Sequence, residues 1–151
     1  MEVERYDPRT DKEGLKDLFT DFIKNKSYFK SNWNNFEYEL NKRLLNLQYR
    51  NSMLMVKEGE KMVGWGTYTI FRDYLGIDRV LIHQVLTRRE DSFKKGIEEI
   101  IIRELINYIK KTNKDIKKIH IICPDSDASM RSVLMKLGLK KSEFFWYEEE
   151  I

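Results

Sequence analysis

Cysteine is almost missing from this chain. The single Cys123 excludes an internal disulfide, and with only two histidines, His83 and His120, there is no Cys/His spacing of the kind that holds zinc. A metal is therefore not expected. Proline is as scarce, with Pro8 and Pro124 the only two, and each interrupts a regular pattern. Long apolar runs are absent too. Nothing approaches the roughly 18 residues of a membrane span, and the opening MEVERYDP carries charge where a signal peptide has an apolar core. A cytoplasmic protein off the membrane is the expectation. Charge of one sign is also lacking: 28 basic against 25 acidic residues leave a net charge of +3. The pairs Lys94-Lys95, Lys110-Lys111 and Lys117-Lys118 each lie among acidic or apolar neighbours and form no basic stripe, which argues against a nucleic-acid partner.

What is present is an ordinary amount of apolar sequence in strongly periodic segments. At 151 residues the chain has the size of a single domain, 1–151, able to bury about two thirds of its unfolded surface without cross-links. EVERY (2–6) alternates and stops at Asp7-Pro8, as a short strand does. TDKE then offers Thr10 and Glu13 as a capping box ahead of Leu15, Leu18, Phe19, Phe22 and Ile23, an amphipathic helical stripe. Trp33, Phe36, Leu40, Leu44 and Leu47 continue at helical spacing, so a second helix precedes the second strand. From Ser52 the period becomes two. SMLMVKE, KMVGWGTYTIF and RVLIHQVLTR are rich in β-branched and aromatic residues and are separated by turn sequences, the pattern of three antiparallel strands.

A long helix follows, with Ile97, Ile101, Leu105 and Ile109 at steps of four and further isoleucines broadening its apolar face. IKKIHIIC is a strand stopped by Pro124. DASMRSVLMKLG is a short helix with Gly138 at the position that favours a left-handed residue, and LKKSEFFWYEEE closes the chain as an aromatic strand. The order β-α-α-β-β-β-α-β-α-β predicts a mixed sheet of six or seven strands with helices on both faces. The strands before and after the long helix should be parallel neighbours, because a crossover of that length joins parallel strands.

This order resembles that of the GNAT superfamily of N-acyltransferases over essentially the whole chain. The C-terminal stretch ASMRSVLMKLGLKKSEFFWYEE (128–149) is similar to the family's closing helix, its K-x-G-[FL] tail, here Lys136 to Leu139, and its aromatic strand. Members of the family bind the pyrophosphate of acetyl-CoA with [QR]-x-x-G-x-[GA] at the start of the long helix. Gly96 matches the first glycine, while Phe93 and Glu98 stand at the other two positions. The resemblance implies an acetyl-CoA-dependent N-acetyltransferase acting on a small-molecule or peptide amine. It places the cofactor against Val85 at the end of the fourth strand, the amides of Lys94, Lys95, Gly96 and Ile97, and Asp127, which is otherwise read as a helix cap.

Transfer from a thioester to an amine needs a base for the ammonium and a proton for the leaving thiolate. His83 lies on the strand where the family's base often resides, and strand alternation groups it with Leu81 and Val85; a packed histidine is the plainer reading. Glu90 and Asp91, just beyond that strand, compete for the role. The family's acid is often a tyrosine of the last helix, where this chain has Leu134, leaving Tyr147 as a substitute or as a sheet aromatic. A second reading is a GNAT domain without turnover that senses CoA or binds a protein. The two-sided aromatic segment Phe144 to Tyr147, read as an edge strand, further suggests a homodimer.

Overall fold

A computed structural model describes residues 2–26, 29–76, 78–88 and 96–151. β1 (Val3–Arg5) leads into α1 (Pro8–Asn25), and α2 (Trp33–Leu44) follows before the chain enters β2 (Leu54–Glu58), β3 (Lys61–Arg72) and β4 (Asp78–Thr87). α3 (Ile97–Thr112) crosses over to β5 (Ile119–Ile121), and α4 (Ala128–Lys136) is the last helix. The sheet runs β1-β2-β3-β4-β5, antiparallel up to β4. β4 and β5 are parallel, as the length of the α3 crossover requires.

α1 begins earlier than the Thr10 capping box suggests. Asp7 is the N-cap, accepting from the Arg9 amide at 3.0 Å, and Pro8 opens the helix with its fixed φ and no wasted donor. The Asp11 carboxylate, buried and paired with Lys57 at 2.7 Å, reaches back to the Asp7 amide at 2.9 Å. Asn32 caps α2 through the Asn35 amide at 2.9 Å.

Two cores lie on opposite faces of the sheet. Leu15, Leu18, Phe19 and Phe22 of α1 and Leu40 of α2 pack with Met55, Trp65 and Leu86 on one face. On the other, Ile97, Ile101, Leu105 and Ile109 of α3 pack on Val56, Val63, Tyr68, Val80 and Ile82. Each such side chain, fully buried, contributes about 1.5–3 kcal/mol of transfer free energy, so both helical layers are held chiefly by these stripes.

Two irregularities redirect the strands. Between Val56/Gly64 and Lys57/Met62 an extra residue, Val63, sits on β3. Between Thr67/Gln84 and Thr69/Leu81, β4 carries one residue more than β3. Such bulges reverse which face successive side chains take. Ile82 therefore belongs to the α3 face and the adjacent His83 to the α1/α2 face, while Val85 packs toward α3 and Leu86 toward α1. The alternation that grouped His83 with Val85 fails at this bulge.

Five of the six expected strands are hydrogen-bonded into the sheet. The closing segment forms no strand: after α4 the chain passes through Gly138 (φ 83°) in a Schellman turn, the Leu139 amide bonded to the Leu134 carbonyl at 3.0 Å, and residues 139–151 join no ladder. The expected aromatic strand is thus a tail outside the sheet, whose last strand is β5.

Candidate active site

A cavity of about 450 Å³ opens between α1, α2 and the sheet. Its walls are aromatic and aliphatic, with Phe19, Phe22, Phe29, Phe36, Leu40 and Trp65 among them, and Lys30, Glu39 and Arg43 are the charged groups that line it. Phe19, Trp33 and Phe36 interlock at centroid distances of 4.6–5.8 Å, so this wall is a packed aromatic unit.

His83 enters this cavity from the bulge of β4. Its Nε2 lies 2.8 Å from the Thr69 hydroxyl, which also accepts a hydrogen bond from Arg43 Nη1 at 2.6 Å. When Nε2–H donates to Thr69, Nδ1 keeps the lone pair that a base needs. Burial, and then the charge of Arg43, hold the imidazole below its ordinary value, so it is neutral at physiological pH. Neither Arg43 nor Thr69 carries a sequence signal for this role. They are brought to His83 by α2 lying across β3, a tertiary fact that no local spacing encodes.

A second, narrow opening lies between β4 and β5. The parallel ladder has three registers, Val80/Ile119 to Ile82/Ile121, and past the Ile122 amide, bonded to the Ile82 carbonyl at 3.3 Å, the strands separate toward Pro124. Ile82, Val85, Ile121 and Ile122 give this slot apolar sides, and Glu98 and Asp127 lie at its α3 and α4 end. His83 lines both the slot and the large cavity.

The other expected site residues divide sharply. Gly96 is the left-handed N-cap of α3 (φ 65°) with no side-chain cap, so no cap side chain takes the first amides of α3. Ile97 is fully buried in the α3 core, which leaves only its amide for a ligand. Asp127 caps α4 through the Met130 amide at 3.1 Å and pairs with Lys26 at 2.6 Å, tying the end of α1 to the start of α4. The plainer reading of Asp127 as a cap therefore holds. Tyr147 is 96% exposed on the tail and lines neither opening, so the structure does not bring it to His83. Glu90, Lys94 and Lys95, with Asp91 and Phe93, lie outside the described residues.

The two glutamates of the first turn of α3 have separate fates. Glu99 turns to Lys136 (2.9 Å) and Arg103, and these cations hold its carboxyl below the usual range. Glu98 is 5% exposed, accepts from the Thr87 hydroxyl at 3.0 Å and faces the slot; burial pushes its carboxyl up. Cys123 lies near the mouth with its thiol raised by burial, which makes it a poor nucleophile.

The slot has the chemistry, but at about 30 Å³ not the volume, for the pantetheine arm of a CoA thioester. That arm is an extended chain of amides and methylenes, matched here by the β4 backbone past its last pairing with β5 and by apolar sides. Glu98 is the departure, a buried carboxyl at the α3 end of the slot.

No protein-family model matches the sequence, and no curated protein matches it. Solved structures do, across the whole chain. A transcriptional regulator from Bacillus halodurans superposes at a TM-score of 0.74 with 16% identity, covering 99% of each chain. An aminoglycoside 6′-N-acetyltransferase from Acinetobacter haemolyticus does so at 0.73 and 10%, over 100% of this chain and 99% of that one. A ribosomal-protein-alanine N-acetyltransferase from Brucella melitensis follows at 0.70 and 12%, over 100% of both. The fold is that of the GNAT acetyltransferases.

Proposed function

We propose that this protein is an N-acetyltransferase that takes an acetyl group from acetyl-CoA and passes it to an amine held in the cavity between α1, α2 and the sheet. The observation that carries this reading is the position of His83, a neutral imidazole in the wall shared by the cavity and the β4/β5 slot. Acetyl-CoA in the slot would supply a thioester carbonyl as electrophile. Val85 and the α3 amides from Gly96 onward would hold it, with Lys94 and Lys95 as further contacts. His83 would take the proton from the acceptor ammonium, and Thr69 and Arg43 would fix the ring that does so. The thiolate leaving group, with a pKa near the roughly 8.5 of a thiol, can take its proton from water, so the remoteness of Tyr147 does not block the reaction.

The acceptor class follows from the walls. Aromatic sides with Lys30 and Arg43 set against Glu39 favour an amine on an apolar or peptide-like body and disfavour a polycation. A second reading, a domain that binds CoA or a protein without turnover, is favoured by Glu98 in the slot and by Leu134 where relatives of this fold often carry a tyrosine. Calorimetric titration with acetyl-CoA separates the two. Binding, with acetylation of phenethylamine or a phenylalanyl peptide, is the expected result. Binding with no product across an amine panel selects the second reading, and no heat up to about millimolar ligand removes the enzyme reading. His83→Ala should lower kcat by about 10²-fold or more while acetyl-CoA still binds in the calorimeter.

A further inference from the structure

The cavity between α1, α2 and the sheet is apolar over most of its wall, yet it holds a cation beside its histidine. Phe19 packs against Phe36 at 4.6 Å and Phe36 meets Trp65 edge-on at 5.5 Å, so an aromatic surface runs from α1 across α2 to β3. Arg43 lines the same cavity. Its Nη1 donates to the Thr69 hydroxyl at 2.6 Å, and that oxygen lies 2.8 Å from His83 Nε2, so guanidinium and imidazole are held within two hydrogen-bond lengths of each other.

Arg43 has more donors than the fold uses. A guanidinium carries five N–H groups in a planar fork. Among the described residues only the bond to Thr69 draws on them, since Glu39 stays 3.8 Å from Nε, beyond hydrogen-bond length. The fork is also held in place. It lies over the Tyr49 ring, 5.5 Å from its centroid, and the Tyr49 hydroxyl is fixed in turn by bonds of 3.0 Å to the carbonyl and to the amide of Ile70. A planar cation so placed, with N–H groups to spare, is a seat for a carboxylate. An ammonium brought to His83 comes to rest beside that cation. A bare amine meets like charge there, whereas an amine that carries its own carboxylate does not.

We propose that the acceptor is a free α-amino acid with a large apolar side chain, its carboxylate on the spare N–H groups of Arg43, its amine at His83 and its side chain against Phe19, Phe36 and Trp65. The inference rests on the acetyl-transfer reading and narrows it. Spacing selects the α-amino acid, because its amine and its carboxylate are carried on adjacent carbons and the two groups that would receive them are held as close through one hydroxyl. Charge selects the free acid over an amide or a peptide N-terminus, neither of which has a carboxylate to set on Arg43 beside the reacting amine. Size agrees, since about 450 Å³ is at the small end of ligand sites. In the transfer the N–C bond to the acetyl carbon forms and the C–S bond breaks. Of the two protons the ammonium gives up, one leaves through His83 to solvent and one ends on the thiol of CoA.

Three acceptors of one shape test this: L-phenylalanine, L-phenylalaninamide, which lacks the negative charge, and phenethylamine, which lacks the carboxyl group. The full chain should show a kcat/KM for phenylalanine about ten-fold or more above that for either of the others. Arg43→Met should bring that ratio close to one, and because the ratio is taken within each variant, a general loss of activity or of folded protein cancels. Arg43→Lys, which keeps the charge without the fork, should fall between. Equal rates for the three acceptors, or a ratio that Arg43→Met leaves unchanged, would overturn the proposal and leave acetyl transfer in place. Hydrocinnamate, the same body with a carboxylate and no amine, gives a readout free of catalysis. Calorimetry should find it bound to the wild-type protein and about ten-fold or more weaker in Arg43→Met. That result with no amine acetylated would support the carboxylate seat and remove only the transferase reading, while hydrocinnamate binding that is absent or indifferent to Arg43 would overturn the seat itself.

Discussion

His83 and Glu98 titrate in opposite senses, and each leaves a measurable mark. His83 is held below its ordinary 6.5, first by burial and then by Arg43. The folded protein thus binds fewer protons than the unfolded chain between the two values, and this contribution to stability is present above about 6.5 and lost as pH falls below it. The acid limb of kcat/KM should accordingly lie below 6.5. Arg43→Met removes the cationic cause and should move that limb to higher pH, read from a pH–rate profile or from the His83 ring signals by NMR. Glu98 is raised above its ordinary 4.5, chiefly by burial, so its ionisation works against the fold as pH rises from that value. Glu98→Gln should therefore raise Tm at pH 8 by more than at pH 5 and tighten acetyl-CoA in the same calorimeter. An equal Tm effect at both values would show that the carboxyl is already ionised in its site.

At the scale of elements the decisive contact is α3 on β3. Gly64 lies beneath Ile97 and Ile101, and a Cβ there would come within 2.5 Å and 2.6 Å of their side chains. Gly64→Ala should cost about 1–3 kcal/mol by overpacking, seen as a fall in Tm, and Ile101→Val in the same chain, which removes the Cδ1 that the new Cβ would meet, should recover part of it. Most elements were legible in the sequence because their periods are long: the isoleucine steps of α3, the apolar stripe of α1 and the strands β2 and β3 lie where they were read. Where reading failed, a short-range pattern competed with a longer-range one. Thr10 looks like a cap, yet Asp7 and Pro8 start the helix. FFWYEEE alternates like a strand, yet among the described residues it joins no ladder. The β4 bulge left no local trace, and it moves His83 to the face opposite Val85.

Across the whole molecule, half of the candidate site was visible in advance. His83, Gly96 and the opening beside Val85 lie on elements whose identity the sequence carries, whereas Arg43, Thr69 and Lys26 meet their partners from 14 to 101 residues away along the chain. The sheet itself has a simpler order. Its first four strands lie side by side in the sequence in which they are made, and only β5 is reached by a crossover. During synthesis the meander of β2 to β4 can close by local pairing, while β1 must wait across α1 and α2 for β2, and β5 must wait for the entire α3 helix to emerge. A nascent chain stopped at Asn113 would hold the aromatic cavity without the slot beside it. Pulse-labelled amide exchange during refolding should find Ile122 protected after Trp65 and Leu86. The opening beside β4 thus gains its second side only from the last strand of the sheet to be made.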